Sequence, residues 1–229
     1  MFAVLLAAVL SVNILLCFSQ FPSKQRKPKL CEKSYMSKDL PERAVMASTS
    51  GYVNLCDTKT DGGGWILIMR RSDGDVNFAR PWSDYSNGFG TYEGDFWQGL
   101  EQLHLLTNSG DWELRVDMKF EGKNYYARYK TFKIDNQLNF YTLRVGQFSG
   151  DVGDNLSYHN GMRFSTSDSK SATSCNKAYS GGWWFNFCHN AYLTGVWRSR
   201  EWGKGIHWDA VSTGNKNLDW AEMKIRRLF

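Results

Sequence analysis

Beyond residue 20 the 229-residue chain has no uniformly apolar run of even ten residues, so no membrane-crossing helix is expected after that point. Its four histidines, His104, His159, His189 and His207, are widely spaced and show no partner pattern. No G-x-S-x-G, H-E-x-x-H or glycine-rich loop ending in Gly-Lys-Ser/Thr is present. Enzymatic activity is therefore not expected. Cysteines number only five, and none stands in a C-x-x-C pair, which leaves a zinc knuckle or thioredoxin-type site without support. Internal repeats and Pro/Gly/Ser linkers are absent from the last roughly 200 residues, which points to one domain there.

A basic folded face is also missing. The net charge is +5, from 28 Lys+Arg and 23 Asp+Glu. Four of the positive charges, Lys24, Arg26, Lys27 and Lys29, crowd one short tail; without them 24 basic side chains face 23 acidic ones. Nucleic-acid binding needs a basic footprint on the domain, so it is not expected. The tail reads as a solvated linker.

What the chain does have begins at its N-terminus. MFAVLLAAVLSVNILLCFSQ carries no charge and ends in small residues around Ser19. It reads as a secretory signal peptide over 1–19, followed by a short basic linker over 20–30. The mature protein is then expected to be secreted and extracellular, with no membrane insertion. Cys17 leaves with the leader. Cys31, Cys56, Cys175 and Cys188 remain, and an oxidising compartment favours disulfides. Four cysteines allow three pairings; sequence neighbours suggest Cys31–Cys56 and Cys175–Cys188.

Hydrophobic period places several elements. Trp65 to Met69 reads as a strand after the turn at Asp61-Gly62-Gly63-Gly64. Leu114, Val116, Met118 and Phe120 alternate with polar residues, and Tyr126 to Lys130 follows a turn at Glu121–Asn124, which predicts a hairpin. Phe140–Val145 is a further strand candidate, and Met223–Arg226 a short closing strand. Asp95 is placed to cap a helix over Phe96–His104, whose apolar residues recur at three- and four-residue steps. From Ser149 to Gly214 the chain is rich in Gly, Ser, Asn and Trp and loses periodicity, as functional loops do. Within it, GGWWFNFCHN (181–190) concentrates aromatics; Trp183, Trp184 and Phe185 are expected in the core. Asn155-Leu156-Ser157 fits an N-glycosylation acceptor. Asp73–Asp84 starts like a calcium-binding loop, but Phe78 stands where glycine is needed, so it is rejected.

The segments CDTKTDGGGWILIMRR (56–71), GFGTYEGDFWQGLEQLHLLTN (88–108), GDNLSYHNGMRFST (153–166), WWFNFCH (183–189) and AEMKIRR (221–227) resemble the fibrinogen C-terminal domain family, in the family's order. Fibrinogen-related lectins, the ficolins and tachylectins, look most similar. The resemblance covers 31–229. It implies an α+β fold with a central antiparallel sheet and a loop-rich C-terminal binding subdomain, and it implies the two local disulfides. Many relatives carry an upstream collagen-like or coiled-coil segment; with none seen here, any oligomer is expected to form through the domain itself.

The resemblance also implies a site. In acetyl-binding relatives a pocket forms around the second disulfide loop, which assigns ligand-binding roles to Tyr179, His189, Trp202 and Gly203. Trp202 replaces a tyrosine and Gly203 an alanine of the family pattern. A further aromatic of the relatives falls on Gly214, which leaves that wall open. The Phe187–Cys188 bond corresponds to one that is cis in such relatives. In the family's calcium loop, two ligand aspartates fall on Lys170 and Ala172, and Asp168 is left as a loop-turn residue. Calcium needs several anionic oxygens, so no metal and no other cofactor is expected. Fibrin-type pockets place a carboxylate where Gly203 stands, so a neutral ligand fits better than an amine. The resulting expectation is a secreted lectin-like protein that binds acetylated sugars, other acetylated groups or cell-surface glycoconjugates, in innate recognition or agglutination. The alternative is a protein-binding ligand of the angiopoietin or fibrinogen type, acting in signalling, adhesion or coagulation.

Overall fold

On the last strand of the chain, Ala221, Met223 and Ile225 join the main hydrophobic core, while Glu222, Lys224 and Arg226 alternate with them and carry charge. This period of two makes the strand a sheet element with two distinct faces. The computed structural model describes residue 31, residues 40–47 and residues 52–228. The expected leader and basic linker lie outside the described residues.

The main sheet takes β1 (Arg43–Ala47), β2 (Val53–Asp57) and β3 (Trp65–Arg71) from the N-terminal part. Two short strands, β4 (Phe89–Gly90) and β5 (Phe96–Trp97), pair with each other, and β5 pairs with β3. The hairpin follows as β6 (Trp112–Phe120) and β7 (Lys123–Ile134), then β8 (Leu143–Gly150). A two-stranded sheet of β9 (Ala191–Tyr192) and β10 (His207–Trp208) sits in the C-terminal third, and β11 (Trp220–Arg227) ends the fold. Along the main sheet the order is β1-β2-β3-β11-β6-β7-β8, with antiparallel pairing throughout. The helices are short: α1 (Trp82–Asn87), α2 (Leu100–Thr107) and α3 (Ser174–Ala178). The α+β expectation is met.

Three local expectations are corrected. The closing strand is central: β11 lies between β3 and β6, because its alternating face supplies the middle of the core. Asp95 does not cap a helix. Phe96 and Trp97 form β5, Gly99 precedes α2, and Asp95 instead turns its buried carboxylate onto the backbone N–H groups of Ser72, Asp73 and Gly74. Three N–H groups and the Arg71 guanidinium outbid one helix end for that carboxylate. The strand expected from Phe140 begins only at Leu143; Phe140 and Tyr141 have φ of 51° and 48° and form a turn held by the Asn136 side chain, which accepts from the Asn139 N–H.

The opposite face of the sheet carries an ionic lattice. Lys224 Nζ is buried and lies 2.7 Å from both Asp57 Oδ2 and Asp117 Oδ2, and 3.3 Å from Glu222 Oε2. Arg43 and Arg70 complete Glu222 at 2.9 Å each. Burial pushes the Asp57 carboxyl up, but the charge and hydrogen bond of Lys224, with bonds from Thr60, carry it well below the usual carboxylate range.

Candidate functional site

The site begins at α3. Thr173 and Asn176 form a capping box at its start, and the Tyr179 N–H closes its end on the Cys175 carbonyl at 2.8 Å. This places Tyr179 one short helix from the disulfide. Cys175 and Cys188 are bonded, Cα atoms 5.2 Å apart, and Cys31 and Cys56 are bonded, Cα atoms 5.6 Å apart. Both pairings agree with expectation.

Between Tyr179 and Cys188 the chain dives into the core. Trp183 and Trp184 are fully buried and Phe185 nearly so, as expected. The Trp184 indole N–H donates to the Tyr141 carbonyl at 2.8 Å. His159 anchors the same segment from below: Nδ1 donates to the Trp184 carbonyl at 2.7 Å, and Nε2 accepts from the Asn190 and Ala191 N–H groups at 3.3 and 3.2 Å. Those bonds require the neutral imidazole, and burial pushes His159 down to about 4.

The chain then turns outward at Phe187 and Cys188, whose φ values are 42° and 75°. The cis bond implied for Phe187–Cys188 is not found; the described residues contain no cis peptide, and two successive left-handed residues make the reversal. The Asn186 N–H donates to the Cys188 carbonyl at 2.9 Å and holds the turn. Phe187 is left 97% exposed.

His189 follows directly and enters a cluster of rings. Its centroid lies 4.5 Å from Tyr179, 4.8 Å from Tyr192 and 4.7 Å from His207. Strands β9 and β10 bring the last two together, with His207 opposite Tyr192 in register. Both ring nitrogens of His189 are buried without a hydrogen-bond partner among the described residues. Burial, with His207 and His159 nearby, pushes His189 down to about 3, so the ring is neutral at physiological pH. Burial also lowers His207, against the pull of Asp209, whose Oδ1 lies 3.0 Å from its Nε2.

Gly203 completes the cluster. A Cβ built there would stand 3.5 Å from the Tyr179 ring and hydroxyl and 3.8 Å from His189 Cε1. Its φ of 70° favours glycine, and its N–H donates to the Gly214 carbonyl at 2.7 Å. Trp202, next in chain, is 76% exposed. Its indole lies against Gly214, where a Cβ would stand 3.3 Å from Nε1. The indole thus lies in the room that the missing side chain at Gly214 leaves.

The structure thus brings Tyr179, His189 and Gly203 into contact range of one another and sets Trp202 beside them. His207 and Tyr192 belong to the same cluster and were not legible in the chain: both enter through a two-stranded sheet that no strong alternation announces.

The loop of Asp168, Lys170 and Ala172 is built differently from a metal site. The Asp168 carboxylate accepts from the Trp82 N–H at 3.0 and 3.2 Å and from the Thr166 hydroxyl at 2.7 Å. Both its oxygens serve the start of α1. No cluster of three or more His, Cys, Asp or Glu side chains suited to a metal occurs among the described residues. The residues present do not fit the family's calcium ion. Asn155, the glycosylation candidate, is half-buried, and its Oδ1 accepts from the Ala210 N–H at 2.9 Å.

Comparison with known proteins matches this geometry to a family. Residues 31–228 match the family described as fibrinogen beta and gamma chains, C-terminal globular domain. Human tenascin-R is 41% identical over 174 residues, 75% of this chain and 13% of that protein. Fibrinogen-like protein A of Apostichopus parvimensis is 40% identical over 178 residues, 75% of this chain and 63% of that protein. The chain therefore spans only part of these relatives. The fibrinogen-like globe domain of human ANGPTL6 superposes with a TM-score of 0.77 at 38% identity, covering 82% of this chain and 90% of that one. Lamprey fibrin D-dimer, in complex with the peptide Gly-His-Arg-Pro-amide, gives a TM-score of 0.75 at 27% identity, covering 82% and 70%. With its antiparallel sheet, both local disulfides and the ring cluster behind the second of them in place, the chain belongs to the fibrinogen C-terminal domain family.

Proposed function

We propose that the chain is a non-catalytic binding domain that acts outside the cell in adhesion or signalling, gripping a partner at the surface around Tyr179, His189 and Gly203. One observation carries this reading. Phe187 and Trp202 are large aromatics left 97% and 76% exposed, and they stand two residues before His189 and one before Gly203. Exposed aromatics beside a packed floor are what binding hot spots are made of. The relatives named tenascin-R and ANGPTL6 favour adhesion or signalling over a sugar-specific lectin role. The two disulfides fit secretion.

The neutral floor favours a second, finer reading in which the recognised group is acetyl. His189 is uncharged at physiological pH, and Gly203 offers no carboxylate to an amine. A methyl group suits the aromatic wall of Tyr179 and Trp202, and a carbonyl suits a nearby donor. The partner is then an acetylated glycan or glycoconjugate.

One assay addresses both readings. Cells are allowed to attach to the immobilised chain, its Phe187→Ser form and its Trp202→Ala form, with N-acetylglucosamine or glucose as competitor. Attachment to the parent, lost in both variants, is expected. Attachment that survives both substitutions removes this surface from the function. Attachment that needs both aromatics but ignores N-acetylglucosamine removes the acetyl reading alone.

A further inference from the structure

Asn155-Leu156-Ser157 is the one Asn-x-Ser/Thr triplet in the chain, and the binding surface around His189 makes no use of it. Such a triplet becomes a glycosylation site where the fold leaves it on the surface of a chain that enters the secretory pathway. The loop that holds it meets the surface condition: Asp151, Gly153, Asp154 and Asn160 are exposed. Asn155 itself stands just ahead of a one-turn helix over Ser157–His159.

The two polar atoms of the Asn155 side chain are used differently. Oδ1 accepts from the Ala210 N–H at 2.9 Å. Nδ2, the atom to which a sugar attaches, makes no hydrogen bond with the described residues and is not sealed from solvent. A glycosylated asparagine keeps its carbonyl oxygen, so the bond to Ala210 survives in the product. Ser157 is engaged only through its backbone: its N–H donates to Asp154 Oδ1 at 3.1 Å and its carbonyl accepts from the Asn160 N–H at 3.1 Å. Its hydroxyl can therefore be removed without unmaking a contact of the fold. Two Asn-x-Cys triplets, a rarer acceptor, lack these properties. Their cysteines, Cys56 and Cys188, are in disulfides. Asn54 is fully buried, and Asn186 Nδ2 donates to the Tyr158 carbonyl at 2.7 Å.

We propose that Asn155 carries an N-linked glycan. The donor is a lipid-pyrophosphate-linked oligosaccharide of the secretory pathway. Nδ2 bonds to the anomeric carbon of the first sugar and gives up one proton to a base of the transferring enzyme. The bond from that carbon to the pyrophosphate oxygen breaks, and the lipid pyrophosphate leaves with the electron pair. Transfer acts on the entering chain before the loop folds, so the fold has only to leave the sugar room. The glycan is rooted on the segment that packs against the turn after β10, where the Trp208 indole N–H donates to the Gly153 carbonyl at 2.8 Å. The proposal rests on the extracellular reading, which the two disulfides support.

The test expresses the full chain in cultured animal cells and maps peptides of the secreted and the cell-retained protein by mass spectrometry, before and after digestion with a peptide-N-glycosidase. A glycan on Asn155 is expected, released by the enzyme with conversion of that asparagine to aspartate. Asn54 and Asn186 are expected to be bare. Asn155→Gln and Ser157→Ala are each expected to lose the glycan completely, and Ser157→Thr to keep it. Ser157→Ala leaves the bond between Asn155 and Ala210 in place, so it decides the matter even if Asn155→Gln fails to fold. A secreted chain with bare Asn155 overturns the proposal and leaves the extracellular reading standing. A chain that is wholly retained and bare overturns both. A glycan that persists at Asn155 in Ser157→Ala overturns the role of the triplet and the proposal with it.

Discussion

The His189 ring lies parallel to the Tyr192 ring, centroids 4.8 Å apart and planes 19° apart, while His207 meets the same imidazole nearly edge-on at 4.7 Å. Two imidazoles at that separation cannot both take up protons without mutual repulsion in a dry setting. With burial lowering both rings as well, the floor of the candidate site is uncharged at physiological pH, and under the proposed function shape and hydrogen bonding are what it offers a ligand.

This arrangement fixes a pH dependence. His159 and His189 are pushed down to about 4 and about 3 by burial, while unfolded histidine titrates near 6.5. The unfolded chain binds more protons than the folded one below 6.5, so stability is full above that pH and falls as pH drops from 6.5 toward 4. For His159 alone the loss at pH 5 is about 2 kcal/mol. Urea unfolding at pH 7 and pH 5 checks it; equal midpoints would show that these rings are protonated in the native state.

Trp202→Ala is expected to abolish or strongly reduce partner binding while changing stability by less than about 0.5 kcal/mol, since the indole is mostly in water. His189→Ala is expected to reduce both, because the ring is packed on three others. Binding titrations paired with thermal melts separate the two effects. Normal binding by Trp202→Ala is the contrary result.

Lys224→Ala leaves Asp57, Asp117 and Glu222 facing one another without their shared cation. The expected cost is about 3–5 kcal/mol, the range for breaking a buried ion pair from one side. Denaturant titration measures it. A loss under about 1 kcal/mol would mean that Arg43, Arg70 and Arg115 suffice to hold the acids.

Calcium is expected to leave the chain unaffected. Asp168 already serves the Trp82 N–H and the Thr166 hydroxyl, and Lys170 and Ala172, the positions the resemblance matched to the ligand aspartates, carry no carboxylate. A site of extracellular-range affinity would add about 0.6–1.8 kcal/mol at about 2 mM calcium. Melts with calcium and with chelator should coincide; a rise abolished by Asp168→Ala is the result that contradicts this.

By itself the sequence determined the parts that local pattern controls. Alternation in β3, β6 and β7 and the turn at Glu121-Gly122 are set by neighbours along the chain, and so is the pairing of cysteines 13 and 25 residues apart. The family motifs singled out Tyr179, His189, Trp202 and Gly203, of which Tyr179, His189 and Gly203 lie side by side in the fold. Only the tertiary structure decided where β11 runs, because every antiparallel strand of that pattern fits an edge or a centre equally well and the buried partners choose. It decided that Asp95 binds the Ser72–Gly74 backbone, since several N–H groups from 21 to 23 residues away outcompete the helix next door. It decided that Trp202 lies against Gly214 and that His207 and Tyr192 join His189. Those contacts link residues brought together by loops, where no period in the chain records which side chains will meet.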